Sequence, residues 1–332
     1  MFSFFNSPEK KKSDASEPTA ITLLIILPRA RDDILAAFTD ARLSDGRPMS
    51  VVHCMWNDFS VSADCASGSH RVYVDIAKGP CRGVHRPDFC LIRSEVRGVT
   101  DDLDFRNALF ALMYGNVPAV NSLHSVYCFL ERPVVMAELY RIQAMHGPNL
   151  FPVVRQSFFS DHRQMIYGDR FPAVVKVGHA HAGYGKMKVE DHHVMEDVRS
   201  LLSLNKNYLS AEPFINGSYD LRIQKIGNKY RVFKRSSLSG SWKTNTGSSS
   251  LEEIELTDTY RFWITEASKM FGGLDICTVD VIYDADEDKE YIMEVNGSSS
   301  GFSPDPATLE ADNTAVKHLV LSKLNNLVID GV

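Results

Sequence analysis

The stretch ITLLIILP, residues 21–28, is apolar without interruption. A strand with one wet face alternates apolar and polar residues, so an unbroken apolar run needs cover on both faces. That requirement points to a strand inside an open, largely parallel sheet with helices on either side. MSVVHCMW (49–56), RVYVDI (71–76) and DFCLIRS (88–94) are further strand-like runs. DLDFRNALFALMYGN (102–116) then spaces its apolar residues as a helix does and stops at Gly115. Strands alternating with helical segments predict an α/β domain over residues 20–120. This half has no G-x-G-x-x-G turn, so a dinucleotide-binding sheet is not supported.

The pattern then changes. PAVNSLHSVYCFLERPVVMAELYRIQ (118–143) predicts a short strand followed by helical segments. Beyond it, β-type runs at 171–177, 186–189, 208–215, 219–226, 229–235, 276–283 and 290–295 alternate with glycine loops. The expectation is a second, α+β domain over 121–330, with residues 1–20 a disordered leader. A length of 332 residues accommodates two such domains. No apolar run reaches the roughly 18 residues of a membrane-spanning helix, and the start lacks a signal-peptide core. Phe2, Phe4 and Phe5 ahead of Lys10 to Lys12 give the leader a weak means of touching an anionic membrane surface; a plain solvated tail is the simpler expectation. The net charge of −6 supplies no footprint for nucleic acid. Cysteines at 54, 65, 81, 90, 128 and 277, with no C-x-x-C pair, suggest reduced thiols in a cytosolic protein.

Three stretches carry chemistry. In FPAVVKVGHAHAGYGKMKV (171–189), Lys176 sits inside a strand, Gly178, Gly183 and Gly185 follow, and Lys186 opens the next strand. Glycines let backbone N–H groups approach an anion, and the lysines add charge. The spacing matches neither a P-loop nor the kinase glycine loop. The unit therefore reads either as a flap over phosphates or as an ordinary hairpin. His179, His181, His192 and His193 have no further ligand at zinc spacing, so loop or hydrogen-bonding roles are expected.

The second stretch, DICTVDVIYDADEDKEYIMEVNGSSS (275–300), reads as two strands joined by an acidic turn. With the turn centred on Glu287, Asp280 opposes Glu294 at a Cβ separation of roughly 4.5–5.5 Å, where like charges destabilise. A divalent cation such as Mg²⁺ or Ca²⁺ would remove that penalty, and Asn296 shares the face of Glu294. The alternative, both acids at wet edges, is disfavoured by their apolar neighbours. The third stretch, RSSLSGSWKTNTGSSS (235–250), holds Trp242 and Lys243 and reads as a phosphate lid or a plain surface loop. Asp220, Arg222 and Lys225 precede it on one strand, and Lys234 and Arg235 lead into it. Cations for phosphates and carboxylates for a bridging metal are what phosphoryl chemistry asks of a protein.

These stretches, with VNSLHSVYCF, YDLRIQKIG, SGSWKTNTGSS and FGGLDICTV, resemble the central domain of synapsins, from about residue 20 to 328. The resemblance implies an α/β protein: a pre-ATP-grasp open α/β sheet domain followed by an ATP-grasp α+β domain. Synapsins are neuronal phosphoproteins on the cytosolic face of synaptic vesicles, which bind ATP and regulate neurotransmitter release. Carried to this chain, Arg132 and Lys176 would contact inner phosphates beneath the flap of Gly183, Gly185 and Lys186. Glu212 and the backbone through Ile215 would hold adenine, and Asp220 the ribose side, with Arg222 also counted among the ATP-binding residues. Lys243 would reach outer phosphates, while Asp280, Glu294 and Asn296 would hold Ca²⁺ or Mg²⁺. Arg132 stands where lysine is common in the family, and Asp280 where glutamate is. Asn296 departs from familiar synapsins toward the Glu-x-Asn of catalytic ATP-grasp enzymes. The implied partners are ATP, an anionic vesicle surface and further copies of the chain as a homodimer or higher oligomer. Fold analogy leaves open an ATP-dependent carboxylate–amine ligase working through an acylphosphate.

Overall fold

The computed structural model describes residues 20–29, 33–66, 69–98, 100–165, 171–179, 184–204, 206–237 and 249–329. The unbroken apolar run forms β1 (Ile21–Ile26), a central strand with parallel neighbours on both sides, β2 (Met49–Cys54) and β6 (Phe89–Ile92). The short β7 (Ala119–Val120) is the parallel edge beyond β6. Side chains of β1 enter two different cores. Leu24 and Ile26 pack with Leu109 and Leu112 of α2 (Arg106–Tyr114). Leu23 and Ile25 pack with Ile34 of α1 (Ile34–Ala37) and with Val316, Val320 and Leu324 of α7 (Pro306–Ile329). Cover on both faces explains why the run does not alternate. Among the described residues no helix is long and apolar enough to cross a membrane.

RVYVDI departs from expectation. It belongs to β4 (Ser69–Ile76), which pairs antiparallel with β3 (Phe59–Ala66) and β5 (Gly83–His85) in a separate three-stranded sheet. Its buried Val72, Val74 and Ile76 alternate with the more exposed Arg71, Tyr73 and Asp75, as befits a sheet with one wet face. The end of α2 lies close against it: a Cβ on Gly115 would fall 2.0 Å from Val72 Cγ2.

The second half leaves the first sheet through α3 (Leu123–Cys128) and α4 (Arg132–His146). A five-stranded antiparallel sheet runs in the order β14 (Ser249–Ile254), β13 (Lys229–Ser237), β12 (Gly217–Ile226), β15 (Ile276–Asp284), β16 (Lys289–Asn296). One face buries Leu221, Ile223, Val279 and Ile292 against Leu139 of α4 and Ile264 of α6 (Asp258–Ala267). A second antiparallel sheet runs β10 (Lys186–Val189), β9 (Ala173–Val177), β11 (Leu209–Pro213), β8 (Ser157–Phe159). It packs on α5 (His192–Leu202) through Val175, Val189, Met195 and Leu202. β8, β14 and the return of α7 to the first sheet have no counterpart in the expectations from sequence.

Asn121, in the VNSLHSVY motif, joins the halves. Its amide is 1% exposed. It donates to the carbonyl of Ile276 at 2.7 Å and accepts from the N–H groups of Asp275 and Ile276 at 2.9 and 2.8 Å. These bonds tie the exit of β7 to the entry of β15.

Candidate functional site

The five-stranded sheet hides one face in the core, and the other carries the polar residues singled out above. Asp280 pairs directly with Glu294, and Thr278 with Asn296, across the β15–β16 hairpin. The register slips between Asp280 and Val281, so the hairpin closes with Asp284 opposite Lys289 instead of pivoting on Glu287. The slip leaves the acids face to face.

Their repulsion is relieved in a way the sequence did not reveal. Arg222, opposite Asp280 on β12, donates Nε and Nη2 to the two carboxylate oxygens at 2.9 and 3.1 Å. Asn296 donates to the same carboxylate at 2.9 Å. Arg132, the first residue of α4, donates to Glu294 across 162 residues of sequence. Two guanidiniums thus neutralise the opposed carboxylates in this state. Arg132, expected on phosphates, and Arg222, expected in the ATP site, hold the carboxylates in this state.

Lys176 is also differently employed. It is 2% exposed, and its Nζ lies 2.6 Å from Glu212 Oε1. Glu212, expected on adenine, is 3% exposed and accepts from Gln156 at 3.2 Å through its other oxygen. Sequence reading placed these two residues at opposite ends of a nucleotide; the fold makes them one buried ion pair. Lys186 sits opposite Lys176 in the β9–β10 register. Burial, with Arg132 and Lys186 nearby, pulls the Lys176 ammonium below its ordinary range, against the pull of Glu212 and Glu294. At Glu294 burial alone would raise the carboxyl. Arg132, Lys186 and Lys176 overcome it and hold the group well below its ordinary range. Three cations thus converge on one carboxylate.

Asp220 accepts from Arg235 at 3.2 Å. Ile215 is half-buried against the large core. Gly185 adopts φ +67°, a conformation glycine reaches without strain. Gly183, His181 and Lys243 lie outside the described residues. His179 bonds the carbonyl of Gly98 at 2.7 Å, and His192 and His193 open α5 behind the cap Asp191. All six cysteines are free.

The pocket beside Glu294 is bordered by Glu95, Arg97, Arg132, His179, Glu294 and Asn296. Arg97 pairs with Glu131, which accepts from Tyr208 at 2.7 Å. Glu95 and Arg97 escaped the sequence reading because they belong to the first half. One available signal was their place just past the carboxyl end of β6, where open parallel sheets put their ligands. Among the described residues no group of three or more His, Cys, Asp or Glu could hold a metal. Two carboxylates and one amide still form a hard oxygen set suited to Mg²⁺ or Ca²⁺, the balance of ligands coming from phosphates and water.

Two family descriptions match the chain: a "Synapsin pre-ATP-grasp domain" over residues 17–119 and a "Synapsin, ATP binding domain" over 121–326. The chain is 33% identical over 314 residues to a synapsin of Drosophila melanogaster, covering 92% of the chain. It spans 30% of the length of that relative. Among solved structures it resembles the ATP-grasp ligase PsnB with a minimal precursor, at a TM-score of 0.63 and 15% identity, over 92% of this chain and all of the other. The same ligase with precursor, Mg and ADP matches at 0.59 and 16% identity, over 94% and 99%. At these identities the two structures establish the fold alone: a pre-ATP-grasp domain followed by an ATP-grasp domain.

Proposed function

The chain belongs to the synapsin family, and from that premise we propose that it binds ATP with a divalent cation and acts as a regulator of vesicle clustering and neurotransmitter release. The observation that carries the nucleotide reading is Arg132 paired with Glu294 beside the Asp280–Arg222 pair, with Lys176 and Lys186 opposite one another on the β9–β10 hairpin. Phosphates arriving there exchange one set of anions for another around cations already in place. Arg132 and Lys176 then hold phosphate oxygens, which frees Glu294 to hold the metal with Asp280 and Asn296. The bound cation, Ca²⁺ or Mg²⁺, supplies charge neutralisation between phosphates and carboxylates. The family premise supports a homodimer or higher oligomer working at the anionic cytosolic surface of synaptic vesicles.

A second reading has one observation in its favour. Asn296 bonds Asp280 from two residues beyond Glu294, the Glu-x-Asn arrangement of ATP-grasp ligases, so an acylphosphate-forming carboxylate–amine ligase is the competing function. Calorimetry of ATP in EDTA, in Mg²⁺ and in Ca²⁺, with Glu294→Gln alongside, tests the first reading. Cation-dependent binding that is lost in the variant is expected. Absence of ATP binding under all three conditions would overturn it. Acceptor-dependent ADP release on the order of 1–10³ s⁻¹ would replace the regulator by the ligase.

A further inference from the structure

The segment that follows Glu294 and Asn296 has too little apolar side chain to hold itself in place. GSSSGFS, residues 297–303, carries two glycines, four serines and a single large apolar residue, Phe302. It leads from the end of β16 at Asn296 toward the start of α7 at Pro306. Ser298, Ser300 and Ser303 are nevertheless buried. A buried segment of small side chains needs its main-chain groups satisfied by residues from elsewhere in the fold.

Arg93, from the first half, supplies those bonds. It is the residue just past β6, and its own N–H donates to the carbonyl of Ile26 at 2.9 Å, which anchors it to the end of β1. Its side chain is buried, and its two terminal nitrogens donate to carbonyls two residues apart: Nη1 to Ser298, and Nη2 to Ser300 at 2.8 Å. The guanidinium carbon lies 3.9 Å from the Phe302 ring centroid. Glu95, two residues on, accepts from the Ser299 hydroxyl at 2.6 Å. Residues 298, 299 and 300 are thus each held by the first half. On their inner side the Ser300 and Thr278 hydroxyls meet at 3.0 Å, and Thr278 pairs with Asn296 across the β15–β16 hairpin. A Cβ on Gly297 would fall 3.1 Å from Cδ2 of Phe129 at the end of α3, so the chain leaving Asn296 is closely packed there as well. A continuous line of contacts therefore runs from the parallel sheet to the strands that carry Asp280, Glu294 and Asn296.

We propose that Arg93, assisted by Glu95, is a positioning residue for the cation ligands: its fork sets residues 298–300 in place and thereby holds Glu294 and Asn296 at Asp280. The proposal rests on the nucleotide reading above and deepens it, because it makes cation binding depend on the docking of the first half. Lysine keeps the charge but offers one ammonium in place of a planar fork, so Arg93→Lys separates geometry from electrostatics. Amide exchange of the full chain, in EDTA and without nucleotide, is followed in peptides covering 294–302, with α5 as the reference. In Arg93→Lys, exchange over 294–302 is expected to accelerate roughly 10- to 100-fold, the value of one hydrogen bond to a charged group, while α5 is unchanged. Glu95→Ala removes an exposed side chain, leaves no buried gap, and is expected to accelerate the same peptides roughly 3- to 10-fold. It keeps the test open should Arg93→Lys fail to fold. Calorimetry of ATP in EDTA and in Mg²⁺ then gives the gain in affinity that the cation brings. That gain is expected to shrink about 10-fold in Arg93→Lys with the affinity in EDTA unchanged, whereas general damage to the fold lowers both. The proposal is overturned if both variants exchange like wild type over 294–302, or if the gain from Mg²⁺ survives in a variant whose exchange is accelerated. A wild-type chain that binds ATP under neither condition sinks the nucleotide reading; the exchange measurement, made without ligand, still decides whether Arg93 holds the segment.

Discussion

Lys176 and Glu212 allow a sharp test of how this site is built. Their side chains are 3% and 2% exposed and meet at 2.6 Å. Removing one partner strands a buried charge, which costs about 3–5 kcal/mol. Lys176→Met leaves the Glu212 carboxylate buried with a hydrogen bond from Gln156 in place of its counter-charge; Glu212→Leu leaves an ammonium beside Arg132 and Lys186. Each single variant should therefore lose about 3–5 kcal/mol in urea unfolding of the full chain. The double variant removes both charges and fills the space with apolar atoms, so it should return to within about 1–2 kcal/mol of wild type. The coupling energy, on the order of 3 kcal/mol or more, is the signature of the pair. The double variant should nevertheless bind ATP poorly, since the cation is gone while the fold is restored. Single variants costing under about 1 kcal/mol, or a double variant as unstable as the sum of the singles, would refute the buried-pair account.

Further consequences follow from the same geometry. Arg132→Met should release Glu294, strengthening Ca²⁺ or Mg²⁺ binding without nucleotide while weakening ATP, both read by calorimetry. Glu294 has a folded pKa well below its ordinary 4.5. The unfolded chain therefore binds more protons in that window, and stability should be retained above about pH 4.5 and lost on acidification. Glu294→Gln should flatten this part of the pH–stability curve. Asn121→Ala deletes an amide making three hydrogen bonds between the halves. It leaves buried backbone groups unpaired, so a loss of about 2–4 kcal/mol is expected by urea unfolding.

How much was legible in the sequence differs with the range of the interaction. The buried β1, the hairpin that opposes Asp280 to Glu294, and the flap pairing Lys176 with Lys186 are all local. Periodicity and turn position report them, because strand register is set over a few residues. Even so, the one-residue slip at Asp280 escaped notice, since a bulge changes the count and leaves the pattern of residue types intact. RVYVDI was recognised as a strand but assigned to the wrong sheet: its alternation reported one wet face, and nothing local named its partners.

The functional residues divide in the same way. Sequence alone determined which side chains are charged, which of them sit in apolar strands, and the order of motifs that marks the family. Only the tertiary structure decided how those charges are spent. Arg132 reaches Glu294 from another element, Glu212 turns to Lys176 on the neighbouring strand, and Arg93 crosses from the first sheet to pin Phe302. The physical reason is that a buried charge must find a counter-charge wherever the packed chain presents one. Separation along the sequence does not limit that choice, so only the assembled fold reveals it.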